Sequence, residues 1–222
     1  DRSDDLLTLC KTEDASDSKR KVFTAFLVPR HASGISMTLL KKVGNHCMPS
    51  YDIGYDNVFV SEDFVLGGIG KGFETISGTL KYSRAGVSSG VIGTAQAAFN
   101  LAKKYALERV QFGRPLAQFQ TMRHKLVDMH IEITKARLMV AELARKIDAH
   151  ENAEEMSAMT KTVATDMLQY VTHHGMQIMA SAGYTIESPM QRYWRDARLY
   201  TFGEGSNEIQ KELVARALNL PM

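Results

Sequence analysis

Residues 119–147 read FQTMRHKLVDMHIEITKARLMVAELARKI, with apolar side chains at Phe119, Met122, Leu126, Met129, Ile133, Ala136, Val140, Leu143 and Ile147. The gaps alternate three and four, and such a period places all of these side chains on one stripe of an α-helix. Charged residues such as Lys125, Glu132, Lys135 and Glu142 fall outside the stripe. A stripe sustained over several heptads is the inner seam of a helix in an antiparallel bundle. The helix is predicted over about 118–148, roughly 45 Å at 1.5 Å per residue.

Working outward, the pattern stays helical from Phe73 almost to the C-terminus. The segment 73–109 is crowded with small residues, among them Ser83, Ala85, Gly86, Ser88, Ser89, Gly90, Gly93 and Ala95. Each interior glycine costs about 1 kcal/mol relative to alanine in a helix. Three of them therefore predict close approach of a neighbouring backbone or a ligand. A third helix is expected from Glu154 to Ala182, with short ones at about 189–200 and 205–218. Before residue 70 the pattern changes. LLTLC (6–10), VFTAFLV (22–28) and IGYDNVFV (53–60) read as strands, with a further short one near Ser36–Lys42. Turn formers separate them: DASDSKRK at 14–21, ASG at 32–34 and GGIGKG at 67–72. Three or four strands leave edges unpaired, so further strands are expected upstream. The expected fold is mainly α: an antiparallel four-helix bundle over residues 69–222, preceded by a partial antiparallel β domain over residues 1–68.

Composition narrows the function. The 222 residues carry 27 Lys+Arg and 25 Asp+Glu, a net charge of +2, which gives no broad electrostatic reason to bind nucleic acid or anionic membrane. No apolar run approaches the roughly 18–20 residues of a membrane span. Two cysteines, Cys10 and Cys47, are too few for a disulfide framework; one bridge is open to them, and a reducing compartment suits them better. The chain begins at Asp1 without an initiator Met or signal pattern and reads as a piece of a longer protein, so part of the active site is expected to be missing. His124 and His130 are six residues apart and His173 and His174 are adjacent, spacings that do not suit a metal pair. The GGIGKG run lacks the spacing and strand–helix context of a phosphate-binding loop.

Glu204 stands out in FGEGS (202–206), between two glycines and near a helix start, where unpaired N–H groups favour an anion. Locally it reads first as an ordinary helix-entry glutamate, favoured there by the dipole, and only second as a general base in an apolar pocket. Arg109, Gln111 and Phe112 lie in RVQFGRP (109–115), either a plain interhelical turn or a set of groups suited to a pyrophosphate and a stacked ring. Gln177–Tyr184 reads as a helix end with Gly183 at the C-cap.

Taken in order, several segments resemble the C-terminal part of an acyl-CoA dehydrogenase. They are ASGIS…KKVG (32–44), DNVFVSED (56–63), GKGFE (70–74), ALERVQFGRPLAQFQ (106–120), Gln177–Tyr184 and RDARLYTFGEGSNEIQ (195–210). The resemblance implies FAD as cofactor, an acyl-CoA thioester as substrate and α,β-dehydrogenation to a trans-2-enoyl-CoA, as in fatty-acid β-oxidation. Glu204 then removes the α-proton while the β-hydride goes to FAD. Some family members place the base on the earlier helix, where this chain has Ser83, which cannot serve. Gly205 and Arg84 are implied in substrate binding. Arg109, Gln111, Phe112, Gln120, Gln177, Ser181, Ser206 and Glu208 are implied in FAD binding, the first three reaching a neighbouring subunit's cofactor. Electron-transferring flavoprotein is the implied electron acceptor. The implied assembly is a homotetramer or dimer, in the bacterial cytoplasm or, in a eukaryote, the mitochondrial matrix.

Four features depart from the commonest family pattern. Ala180-Ser181 stands where Gly-Gly is common, Ser206 replaces a common Thr, Glu208 stands where Gln is frequent though Glu also occurs, and Gly203 stands where many members carry Tyr. The last change is expected to widen the pocket for a branched or cyclic acyl group. An acyl-CoA oxidase on the same scaffold is the alternative. For the 222 residues alone the alternative is a non-catalytic helical assembly module, because FAD affinity is expected to collapse without the rest of the β domain.

Overall fold

The computed structural model describes residues 3–12 and 22–221, so the turn predicted over 14–21 lies outside the described residues. The chain divides into two units, Asp1–Lys42 with His46–Leu80, and Val43–Asn45 with Lys81–Met222.

The first unit holds the strands. β1 (Asp5–Lys11) pairs antiparallel with β2 (Phe23–Pro29), Leu7 opposite Leu27, and β2 pairs on its other edge with the two-residue β5 (Val65–Leu66). β3 (Ile35–Leu40) and β4 (Ser50–Tyr55) form a separate antiparallel pair with Met37 opposite Ile53. The strand expected over 53–60 therefore ends five residues early. Asn57 takes a left-handed φ of 49°, which turns the chain out of the ladder. Val58, Phe59 and Val60 instead line an apolar groove of about 420 Å³ with Thr8, Cys10, Phe26, Val28 and Tyr55. Val58 and Val60 are half-buried there without pairing, whereas Phe59 stands 87% exposed. Gly72 opens the first helix against β2, where a Cβ would come within 2.3 Å of the Ala25 nitrogen.

The second unit is helical. α1 (Gly72–Glu108) begins in the first unit and runs on into this one; α2 (Gln120–Asp148) and α3 (Glu154–Met179) follow. Gln96 bonds Arg137 and Phe99 stacks near His130, so α1 and α2 run antiparallel. The buried residues of α2 are Met129, Ile133, Ala136 and Leu143, all on the predicted seam, and the remaining seam positions are half-buried. Met129, Ile133 and Ala136 pack with Val91, Ala95, Ala98 and Ala102 of α1 and Ala164, Leu168 and Val171 of α3. Each large side chain buried in this way is worth about 1.5–3 kcal/mol. Two shorter helices, α5 (Pro189–Tyr200) and α6 (Asn207–Ala217), pack on α3. No helix among the described residues is long and apolar enough to cross a membrane, and Cys10 and Cys47 are exposed and unbridged.

One local expectation is narrowed and another corrected. Gly86, Gly90 and Gly93 lie on an exposed face of α1, and a Cβ at any of them would meet nothing within 4 Å in this chain. Close approach within the chain does not explain them. Gly183 is not the C-cap of the third helix. α3 stops at Met179 because Ala180 adopts φ 49°, ψ −134°, and Gly183 lies inside the short α4 (Ser181–Tyr184). There a Cβ would come within 2.9 Å of the Met179 Cβ, so Gly183 serves tight packing.

A positive φ suits glycine and strains alanine. Ala180→Gly is therefore expected to stabilise the helical unit by about 1 kcal/mol, read as a higher urea midpoint at unchanged slope. An unchanged or lower midpoint would show that the alanine is unstrained.

Candidate active site

α5 begins at Pro189 with Ser188 as N-cap, its hydroxyl accepting from the Met190 N–H, and ends at Tyr200. α6 begins at Asn207 with Ser206 as N-cap, accepting from the Ile209 N–H at 3.4 Å. Between them the loop 201–206 carries Glu204 and Gly205. The Asn207 N–H donates to the Thr201 carbonyl at 2.9 Å and closes the loop. Glu204 and Gly205 are both left-handed, φ 57° and 86°. Gly205 also answers to space, since a Cβ there would lie 2.7 Å from Gln210 Nε2.

Buried donors hold this backbone from inside the bundle. The Glu204 carbonyl accepts from Arg84 Nε at 3.5 Å and from Gln210 Nε2 at 3.2 Å. The Gly205 carbonyl accepts from Lys161 Nζ at 2.9 Å and from Gln210 Nε2 at 3.1 Å. Lys161 Nζ also donates to Asn207 Oδ1 at 2.8 Å and to the Thr201 carbonyl at 3.3 Å. Asn207 relays the contact outward: its Oδ1 also accepts from Thr165 Oγ1, and its Nδ2 donates to Asp166 Oδ1 at 2.8 Å. A trans peptide sets C=O and N–H on opposite sides. Turning the 204 and 205 carbonyls inward therefore turns the N–H groups of Gly205 and Ser206 outward.

The site is electrostatically loaded. Lys161 and Gln210 are fully buried and Arg84 is 5% exposed. Burial pushes the Lys161 ammonium below its ordinary value, and the nearby Arg84 charge adds to this; Asp166, Glu208 and Glu204 oppose both. Burial likewise lowers Arg84, against Glu154 and Glu204. Taking an ammonium out of water costs several kcal/mol unless its protons are accepted, and here all three are. Glu208, exposed in the first turn of α6, is held below the usual carboxylate range by its own backbone N–H and the Ser206 hydroxyl. Beside the loop, a cleft of about 210 Å³ is lined mainly by polar side chains, including Asp166, Asn207, Glu208 and Lys211.

Of the residues singled out from sequence, Arg84, Glu204, Gly205, Ser206 and Glu208 come together here. The others do not. Arg109–Pro115 is a small hairpin rather than a plain turn: β6 (Val110–Gln111) pairs with β7 (Arg114–Pro115) across Phe112 and Gly113, both left-handed. That is the two-residue geometry usually met by Asn-Gly. Phe112 stands 92% exposed, edge-on to Phe119, and Arg114 lies over the Phe119 ring at 4.2 Å. Arg109, Gln111 and Gln120 are exposed near this hairpin, and Gln177 and Ser181 are exposed at the C-terminal end of α3. Because α1 and α2 are antiparallel and Gly175 of α3 abuts Ala102 of α1, these residues share one end of the bundle. Arg84 lies 24 residues before the end of α1, about 36 Å away along the helix. Sequence reading missed Lys161, Asn207 and Gln210. Lys161 carried a usable signal, since it falls on the same helix stripe as Ser157, Ala164, Thr165 and Leu168, all buried.

Residues 70–219 match the acyl-CoA dehydrogenase C-terminal domain. A 3-(aryl)acrylate reductase of Clostridium sporogenes is 34% identical over 97% of this chain and 57% of its own length. Glutaryl-CoA dehydrogenase of Desulfococcus multivorans is 33% identical over 96% of the chain and 55% of its own. The butyryl-CoA dehydrogenase structure from Megasphaera elsdenii superposes with a TM-score of 0.91 at 32% identity, covering 98% of this chain and 56% of that one. The chain thus spans a little over half the length of these relatives. With most of its length matched by the family's C-terminal domain, the chain belongs to the acyl-CoA dehydrogenase family.

Proposed function

We propose that the protein carrying this chain oxidises an acyl-CoA thioester to its trans-2-enoyl form, with Glu204 as the base that removes the α-proton. The observation that carries this reading is the Glu204 backbone. A residue with a side chain is held at φ 57° between two glycines, its carbonyl and the next tied to buried donors. Such a conformation costs about 1–3 kcal/mol and persists where the surroundings impose it, often at functional sites. An α-proton leaves a thioester only if a base is within hydrogen-bond reach and the developing enolate oxygen meets donors. A fixed Glu204 answers the first demand, and the backbone N–H groups of its loop are the donors for the second. The α C–H bond breaks, its proton passes to a Glu204 carboxylate oxygen, and its electron pair forms the enolate.

The far end of the bundle suits FAD. Arg109, Gln111, Gln120, Gln177 and Ser181 are exposed guanidinium, amide and hydroxyl groups, the donor chemistry that a diphosphate and a polyol require. Phe112 offers an exposed ring for stacking. When bound, FAD supplies the acceptor for the β-hydride. The separation of about 36 Å along α1 favours these residues serving a neighbouring copy in a homo-oligomer, with electron-transferring flavoprotein as the electron acceptor.

A second reading draws on the acrylate reductase relative. Run backwards, the same site would return a proton from the Glu204 acid to the α-carbon of an unsaturated thioester or acid, the hydride for the β-carbon being what reduced FAD would supply. Comparing acyl-CoA oxidation with enoyl reduction under matched driving force separates the two directions.

Gly203 supports a wide acyl pocket. Its φ is not left-handed, and a Cβ would meet only the Leu199 carbonyl at 3.4 Å, so its backbone does not require glycine. In the full-length protein, Gly203→Tyr is expected to lower kcat/KM at least tenfold for branched acyl-CoAs and less than threefold for short straight ones, measured over a substrate panel. Equal losses on both would remove the pocket argument. Glu204→Gln should slow flavin bleaching by acyl-CoA by about 10²–10⁴-fold, in stopped-flow mixing. Wild-type bleaching in that variant would sink the base assignment.

A further inference from the structure

Lys161 is fully buried in the middle of α3, and among the described residues it has no carboxylate within ion-pair distance. Its three protons go instead to Gly205 O, Asn207 Oδ1 and Thr201 O, one acceptor at each end of the loop and one on the first residue of α6. Packing alone does not call for this. The same place on the stripe is filled elsewhere in α3 by Ala, Thr and Leu, and an apolar side chain would need no partners. The arrangement resembles a clamp: one cation, reaching from a rigid helix, gathers the two ends of the segment that carries Glu204. Asn207 is held in turn by Thr165 and Asp166, which set its amide so that the oxygen faces Lys161.

We infer that Lys161 is a positioning residue of the Glu204 loop, joining Arg84 and Gln210 in holding residues 201–207 in the backbone arrangement that presents the glutamate to substrate. The inference rests on the proposed role of Glu204 only for its kinetic consequence. The clamp itself is a statement about the loop. Without the ammonium, the Thr201 and Gly205 carbonyls and Asn207 Oδ1 lose their common buried donor, and the loop, left with the Asn207–Thr201 bond, Arg84 and Gln210, relaxes while the bundle stays packed.

The test uses the full-length holoenzyme and Lys161→Met, which keeps the length of the side chain and removes the charge. Hydrogen exchange of amides 202–206 is expected to speed up at least tenfold, with exchange in α1 and α2 unchanged. kcat should fall ten- to a hundredfold with KM within threefold. Adding Lys161→Met to Glu204→Gln should change the residual rate less than twofold, because both act through the same carboxylate. Lys161→Gln, with two amide donors and no charge, carries the same measurements if the Met variant does not fold. Loop exchange at the wild-type rate overturns the inference, as does equal loss of protection throughout α1 and α2, which would make Lys161 a general packing element. A fully active Glu204→Gln would instead overturn the base assignment, and the exchange result would still decide the clamp.

Discussion

The second unit depends on burial of one apolar stripe along α2. With Met129, Ile133, Ala136 and Leu143 withdrawn from water, α1 and α3 must lie alongside with their own small and apolar faces turned in. Long helices packed in this way convert sequence separation into distance, at 1.5 Å per residue. The consequence is two chemically distinct ends. One end carries exposed donors and an exposed ring; toward the other, Arg84 and Lys161 reach the loop that bears Glu204. Neither end could be moved toward the other without changing the number of turns in the bundle.

Within that frame the loop is held by an unusual choice of partners. Loops generally satisfy their carbonyls with water or neighbouring backbone. Here the carbonyls of 204 and 205 accept from a guanidinium, an ammonium and an amide, all buried. Hydrogen bonds from charged donors are about twice as strong as neutral ones, and a low dielectric strengthens them further. The same burial makes them brittle, because a cation left without acceptors inside the bundle is costly. The loop and the cations under it therefore stand or fall together, whereas a substitution on the exposed face of α1 would leave both untouched.

The helices were legible because a period of 3.5 persists through noise: every stripe residue of α2 is buried or half-buried. What was illegible needed information from elsewhere in the chain. Nothing local distinguishes Val58–Val60 from a strand; the left-handed Asn57 before them decides it. Gly86, Gly90 and Gly93 suggested a close neighbour that this chain does not contain. Gly183 has the local setting of a helix cap, yet the chain turns three residues earlier at Ala180, a residue that has no glycine-like freedom there. Of the site, Glu204 and Gly205 could be seen from their glycine-flanked setting, while Lys161 was hidden by composition. A lysine is read as solvent-facing unless its helix stripe is followed residue by residue.

Backbone strain joins these findings. Among described residues other than glycine, left-handed φ occurs at Asn45, Asn57, Phe112, His150, Ala180, Glu204 and Asn219. Asparagine tolerates this region, and His150 follows the end of α2, where helices commonly close with such a turn. Phe112, Ala180 and Glu204 have neither excuse. Phe112 sits at the tip of the hairpin, Ala180 precedes Ser181, and Glu204 is the loop carboxylate, so each strained residue is at or beside a position that the family resemblance assigns to a ligand. Strain of this kind is retained when the geometry it enforces is useful, and inference properly runs from the observed outlier to a function. The three outliers fall at two places, Phe112 and Ala180 at one end of the bundle and Glu204 in the loop toward the other, and at each a backbone conformation stands beside the side-chain identities on which the proposal rests.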